Sequence, residues 1–98
     1  MDIGRIHQAI QKEVYFREHA IQKLVERNIA EKEVVEAIES GEIIEEYPVD
    51  KYGPTCLIFG LTESRRPLHV LVSYSVPIWV VTAYEPDERQ WLDHKIRR

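Results

Sequence analysis

Apolar positions in the first forty residues recur at helical spacing, and beyond Gly41 they recur at every second position. Ile3, Ile6, Ile10 and Val14, separated by Arg5, Gln8, Gln11 and Lys12, predict a short amphipathic helix at the N-terminus. It forms an accessory outer element over about residues 1–12. Ala20, Ile21, Leu24 and Val25 predict a second helix ending near Asn28, a residue type that tolerates the left-handed conformation. Val34, Val35, Ala37 and Ile38 lie among Glu31, Glu33, Glu36 and Glu39 in a third helix, which Gly41 is expected to stop through a positive φ. Four strands follow, Glu42–Tyr47, Thr55–Leu61, Leu68–Tyr74 and Ile78–Tyr84, with turn clusters at Asp50–Pro54, Thr62–Pro67 and Ser75–Pro77. Connectors this short demand antiparallel neighbours. Asp87 can then cap a short C-terminal helix that turns Trp91 and Ile96 inward. The expected architecture is one α+β domain over residues 1–98: N-terminal helices packed on a four-stranded antiparallel sheet, with a short C-terminal helix.

Composition narrows the functional classes. Ninety-eight residues hold a single core. A formal charge of −4 opposes a surface that grips nucleic acid all over, so any such site must be local. The charge is also uneven. Residues 1–50 carry 6 Lys+Arg against 12 Asp+Glu, a balance of −6, while residues 51–98 carry 7 against 5, a balance of +2. Cys56 stands alone, the N-terminus lacks the order of a secretory signal, and no apolar run approaches the ~18–20 residues that cross a bilayer. A soluble cytoplasmic protein with no membrane contact is expected.

Histidine, with an ordinary pKa near neutrality, is the first residue type to search for acid–base chemistry. His7 and His94 read as surface positions. His69 interrupts an apolar strand and shares a face with Leu71 and Ser73, opposite Leu68, Val70 and Val72. It is either a hydrogen-bonded core histidine or a group at the rim of a cleft. His19, Lys23 and Arg27 fall along one flank of the second helix, as a basic stripe or as a solvated face paired with Glu26. Strict alternation puts Glu45 and Tyr47 on the face of Ile43, and Thr82 and Tyr84 on the face of Val80. Trp79 and Trp91 read as core anchors. No Gly-rich phosphate loop, paired Cys ligands or His-Glu-x-x-His motif occurs, so neither metal nor cofactor is expected.

Several strings of residues resemble a known family. They are His19-Ala20, Glu26-Arg27-Asn28-Ile29, Gly41 to Pro48, Tyr52 to Ile58, Arg66 to Val70, Thr82 to Asp87, Trp91 and Arg97-Arg98. In this order they resemble family 4258 of the domains of unknown function over about residues 13–98. Thr55 stands where that family usually has Ser, and Ser64-Arg65-Arg66 replaces a common Gly-Arg turn.

The family looks like a relative of the RelE/ParE-like small bacterial toxins, whose wider group includes metal-independent ribonucleases. The resemblance therefore implies a toxin that cuts RNA, partnered by a zinc-finger-type antitoxin. His19, Arg27, Glu45, His69, Thr82 and Tyr84 occupy motif positions. In such an enzyme His69 and His19 would be the base and acid, in an order left open, and Arg27 the phosphate clamp. Tyr84 would be an orienting donor and Glu45 an alternative base, with the site in a cleft between helices and sheet. Lys23, Arg66, Arg97 and Arg98 would meet the RNA backbone. The alternative is a non-catalytic protein- or RNA-binding module on the same fold, with His69 bonded inside it. Oligomeric state is left open.

Overall fold

The computed structural model describes residues 1–51 and 53–98. Tyr52, in one of the strings that carry the resemblance, lies outside them. Helix α1 (Ile3–Ile10) starts on Asp2, whose Oδ1 accepts a hydrogen bond from the Gly4 N–H at 2.9 Å. Its apolar stripe is real, and Ile6, Ala9 and Ile10 are buried. Val14 does not belong to it. Val14–Phe16 is a short strand, β1, followed by α2 (Glu18–Glu26) and α3 (Glu31–Ser40). Asn28 takes the left-handed conformation between these two helices, at φ 56°.

The strands β2 (Glu42–Tyr47), β3 (Thr55–Leu61), β4 (Pro67–Ser73) and β5 (Ile78–Tyr84) form an antiparallel meander. β1 pairs with β5 in parallel, giving the order β1-β5-β4-β3-β2. The sheet is thus five-stranded and mixed, and the expected four-stranded antiparallel sheet is incorrect. Short connectors do force antiparallel pairing within the meander. β1 escapes that argument because two helices and three strands separate it from its partner.

The C-terminal helix is also absent. Trp91–Leu92 (β6) and Ile96–Arg97 (β7) form a two-stranded hairpin through Asp93 and His94, both left-handed at φ 51° and 64°. Two central residues of positive φ match the twist of a tight hairpin. Asp87 caps a turn and not a helix: its Oδ1 accepts from the Arg89 N–H, and its carbonyl from Gln90 and Trp91. Trp91 is buried as expected, whereas Ile96 is exposed.

All three helices pack on one face of the sheet. The core joins Ile6, Leu24, Val34 and Ile38 to Cys56, Ile58, Leu68, Val70, Val72 and Ile78. Gly41 does end α3, but at φ −90° its backbone conformation is not the reason. A Cβ there would lie 2.5 Å from the Ala37 carbonyl oxygen, and one on Gly60 would lie 1.7 Å from it. The two glycines let α3 settle directly onto β3.

Two bulges decide what the other face carries. In β2 the register shifts between Ile43 and Glu45, and in β5 a shift of the same kind falls beside Leu71 and Val72 of β4. Each inserts one residue and reverses the alternation beyond it. Ile43 and Val80 therefore face the helices. Glu45, Tyr47, Thr82 and Tyr84 face away, in register with Leu57, Thr55, Leu71 and His69. The shared faces expected from strict alternation are corrected accordingly.

Candidate functional site

The open face of the sheet is laid out in rows across the strands. One row runs Tyr47–Thr55–Ser73, the next Glu45–Leu57–Leu71–Thr82, and the third Phe59–His69–Tyr84. Rows are ~7 Å apart, two residues along a strand. The β6–β7 hairpin lies over the third row. Trp91 meets the His69 ring edge to face at a centroid distance of 4.5 Å, and His94 stacks on Phe59 at 5.6 Å. Arg97 binds Glu45 at 3.0 and 3.2 Å while covering Trp91, and Lys95 binds Glu42 at 2.9 Å. Leu57, Leu71 and Thr82 of the middle row line a cavity of about 340 Å³, with Tyr84, Tyr47 and Asp50 also in its wall. That is at the small end of ligand pockets.

His69 is fully buried beneath the hairpin. Its Nε2 is bonded to the His94 carbonyl oxygen, which carries no proton, so Nε2 must be the donor. Burial holds the ring pKa below its ordinary value, and the imidazole is neutral. Nδ1 is then an acceptor, and it faces the Tyr84 hydroxyl at 3.4 Å. Burial in turn raises the Tyr84 pKa, so the phenol keeps its proton to donate. Of this pair only Tyr84 reaches the cavity wall.

Arg27 enters from the helix layer by way of the sheet edge. Past β1, no strand among the described residues pairs with the outer edge of β5, and the guanidinium of Arg27, just past α2, covers it. Its Nη1 donates to the Ala83 carbonyl at 2.8 Å and to the Thr82 hydroxyl at 3.2 Å. A partly exposed cation thus stands beside Thr82 and Tyr84. His19 does not join them. It is exposed on the first turn of α2, while the sheet lies between the helices and the His69 ring. The cleft expected between the layers is filled by the core. The four groups that do meet, Arg27, Thr82, Tyr84 and His69, meet on or at the edge of the opposite face.

Other expected site residues have structural partners. Tyr47 and Arg97 both donate to the Glu45 carboxylate, and Arg97 chiefly, helped by Tyr47, holds its pKa below the usual range, which weakens it as a base. Partial burial, and then its bond to that carboxylate, push the Tyr47 pKa up to about 12. Arg66 binds Glu85 at 2.6 Å, Glu33 at 3.2 Å and the carbonyls of Asn28 and Arg27 at 2.8 and 3.2 Å. Its donors tie the α2–α3 junction to the sheet. Arg98 donates to the Glu88 carbonyl at 2.7 Å, and Lys23 binds Glu26 at 3.3 Å. His7 and His94 are not plain surface positions. His7 Nε2 lies 2.9 Å from the Ile38 carbonyl, and His94 supplies the bond to His69.

Sequence reasoning missed Leu57, Leu71 and Asp50 as cavity residues. Asp50 was legible only as a turn former, and the two leucines only as strand apolars. Among the described residues, no group of three or more His, Cys, Asp or Glu side chains is placed to hold a metal ion. No helix among them is long and apolar enough to cross a membrane.

A sheet with helices on one face and a hairpin-bordered cavity on the other defines a small α+β domain whose candidate site is the open sheet face. The profile of the domain of unknown function DUF4258 matches residues 16–85, more than half of the chain, which belongs to that family. No curated protein and no solved structure matches the chain. Arg27, Asp50, His69, Thr82 and Tyr84 all fall inside the matched span. Helix α1 and the β6–β7 hairpin lie outside it, as do Trp91 and Arg97-Arg98 of the resemblance.

Proposed function

We propose that the chain is a metal-independent RNA endonuclease acting as the toxin of a bacterial toxin–antitoxin pair, related to the RelE/ParE-like toxins. The observation that carries the reading is the meeting of Arg27, Thr82, Tyr84 and neutral His69, of which Thr82 and Tyr84 line an open cavity. RNA cleavage by its own 2′-OH needs a proton acceptor and a cation for the charge growing on phosphorus. Tyr84 oxygen takes the 2′-OH proton as its own proton passes to His69 Nδ1. The 2′-oxygen then bonds to phosphorus, the bond from phosphorus to the 5′-oxygen breaks, the leaving oxygen takes a proton from water, and the hydroxide so formed is neutralised by the proton that His69 returns through Tyr84. Arg27 and the Thr82 hydroxyl hold the phosphate oxygens. His69 acts through Tyr84, which resolves how a buried ring serves an exposed reaction. His19 has no part in this scheme.

The acidic helical layer is no obstacle, because the RNA lies on the other face of the sheet. A cognate antitoxin would neutralise the toxin by covering that same face. The test is incubation of the purified chain with single-stranded RNA in a chelator. The expected products end in 2′,3′-cyclic phosphate and 5′-hydroxyl groups, and Arg27→Ala lowers the rate about a hundredfold or more, in line with a lost transition-state donor. Intact RNA in the presence of folded protein, with no growth arrest on expression, rejects the reading.

One observation favours the alternative, a non-catalytic protein- or RNA-binding module. His69 is buried, neutral and bonded to the hairpin, as a purely structural histidine would be. Retained RNA binding without cleavage would support that outcome.

A further inference from the structure

We propose that the cavity beside Tyr84 is a recognition pocket for a guanine base of the RNA, with Asp50 as the residue that selects it. The inference rests on the RNA-cleaving reading and adds the substrate preference of the same site. Leu71 and the almost fully buried Leu57 form an apolar floor one row from Tyr84, with Tyr47 at the margin. A flat aromatic heterocycle laid on such a floor replaces water on apolar surface and stacks against the tyrosine rings, which any base can do. Asp50 adds discrimination. Its Oδ2 accepts from the Thr55 hydroxyl at 2.9 Å and its Oδ1 from the Lys51 N–H at 2.6 Å.

These two bonds fix the carboxylate at the end of the cavity away from Tyr84, and each oxygen keeps acceptor capacity. A carboxylate accepts only. Among the four bases, guanine alone presents two adjacent donors, N1–H and the N2 amino group, matching both oxygens. Adenine and cytosine offer one amino group beside a ring nitrogen acceptor, which would face the carboxylate lone pair to lone pair. A base seated with its donor edge at Asp50 sends its ribose toward Thr82, where Arg27 and Tyr84 wait for the phosphate. The preference and the chemistry are thereby joined by one nucleotide.

The experiment titrates the full chain with GMP, IMP and AMP, following methyl and aromatic NMR signals. IMP keeps N1–H and lacks the N2 amino group. GMP should bind at least tenfold more tightly than AMP, with IMP between them, and should move the signals of Leu57, Leu71 and Tyr47. Asp50→Asn should abolish the preference, with Asp50→Ala as a second variant and circular dichroism confirming the fold of each. Equal affinity for GMP and AMP, an unchanged preference in both variants, or shifts confined to another surface overturns the proposal. RNA cleavage without guanine preference would sink the pocket and leave the nuclease standing. Selective GMP binding without cleavage would do the reverse.

Discussion

Tyr84→Phe removes a single oxygen, and the structure separates what that oxygen does for stability from what it does for chemistry. The hydroxyl meets His69 Nδ1 at 3.4 Å, a long contact, but losing it leaves a buried acceptor without a donor. A net loss of about 1 kcal/mol is expected, within the ~0.5–1.5 kcal/mol of an ordinary hydrogen bond. For a chain of this size that lowers the melting temperature by about 4–8 °C. The ring stays, and so does its packing against His69 at a centroid distance of 5.4 Å. In the proposed relay the same oxygen is the only route from the 2′-OH to His69. Its removal should slow cleavage by about 10²–10⁴, or ~2.7–5.4 kcal/mol at 1.36 kcal/mol per tenfold. The chemical loss therefore exceeds the stability loss several-fold, and unfolding cannot account for it. Single-turnover cleavage of RNA at 25 °C, beside a thermal melt, measures both quantities. His69→Gln should slow cleavage similarly, and adding it to Tyr84→Phe should cost little more, because groups that act as a unit are not additive. A Tyr84→Phe chain that cuts RNA within threefold of the wild-type rate would falsify the relay.

Three further outcomes follow from the fold. Gly60→Ala would place a Cβ 1.7 Å from the Ala37 carbonyl oxygen, so α3 must lift from β3. We expect destabilisation of about 3 kcal/mol or more, read by urea unfolding, and a near-neutral result would contradict the close packing. Arg66→Ala strips charge-assisted bonds from Glu33, Glu85 and two carbonyls, which should cost ~1.5–3 kcal/mol. RNA binding by that variant, corrected for the folded fraction, should hardly change; a selective loss of binding would return Arg66 to the RNA contacts. The last outcome concerns pH. Burial lowers the His69 pKa, so just below its ordinary value of ~6.5 the unfolded chain takes up a proton more readily than the folded ring does. Stability should fall as pH drops from 7.5 to 5.5, a window that lies above the Glu45 titration. His69→Gln should remove part of that slope, and identical slopes in both proteins would show that His69 does not carry it.

The parts of the site differ in how legible they were. Tyr84, Arg27 and His69 were found from motif positions and from the oddity of a histidine inside an apolar strand. Their arrangement was not. A cleft between the layers follows naturally from helices carrying His19 and Arg27 and strands carrying His69 and Tyr84. In the folded chain that space is filled by Leu24, Ile38, Val70 and their neighbours. Arg27 reaches the opposite face because β1 is only three residues long and leaves the end of β5 uncovered. Asp50 escaped notice because an aspartate in a turn is ordinary, and only the folded sheet brings it to the end of the leucine floor.

Local periodicity by itself determined the three helices, the four meander strands and the single core, because burial of one face imposes a 3.6-residue or a 2-residue repeat on the sequence. Tertiary structure alone decided everything that depends on partners far apart in the chain. β1 is a strand because β5 offers it an edge, and Val14–Phe16 is too short to declare itself. The two bulges reverse the faces of Glu45, Tyr47, Thr82 and Tyr84, since one inserted residue shifts every later side chain and leaves no trace in composition. The C-terminal residues fold as a hairpin because the sheet provides Phe59 and His69 for His94 and Trp91 to cover, a preference written in the sheet and not in the segment.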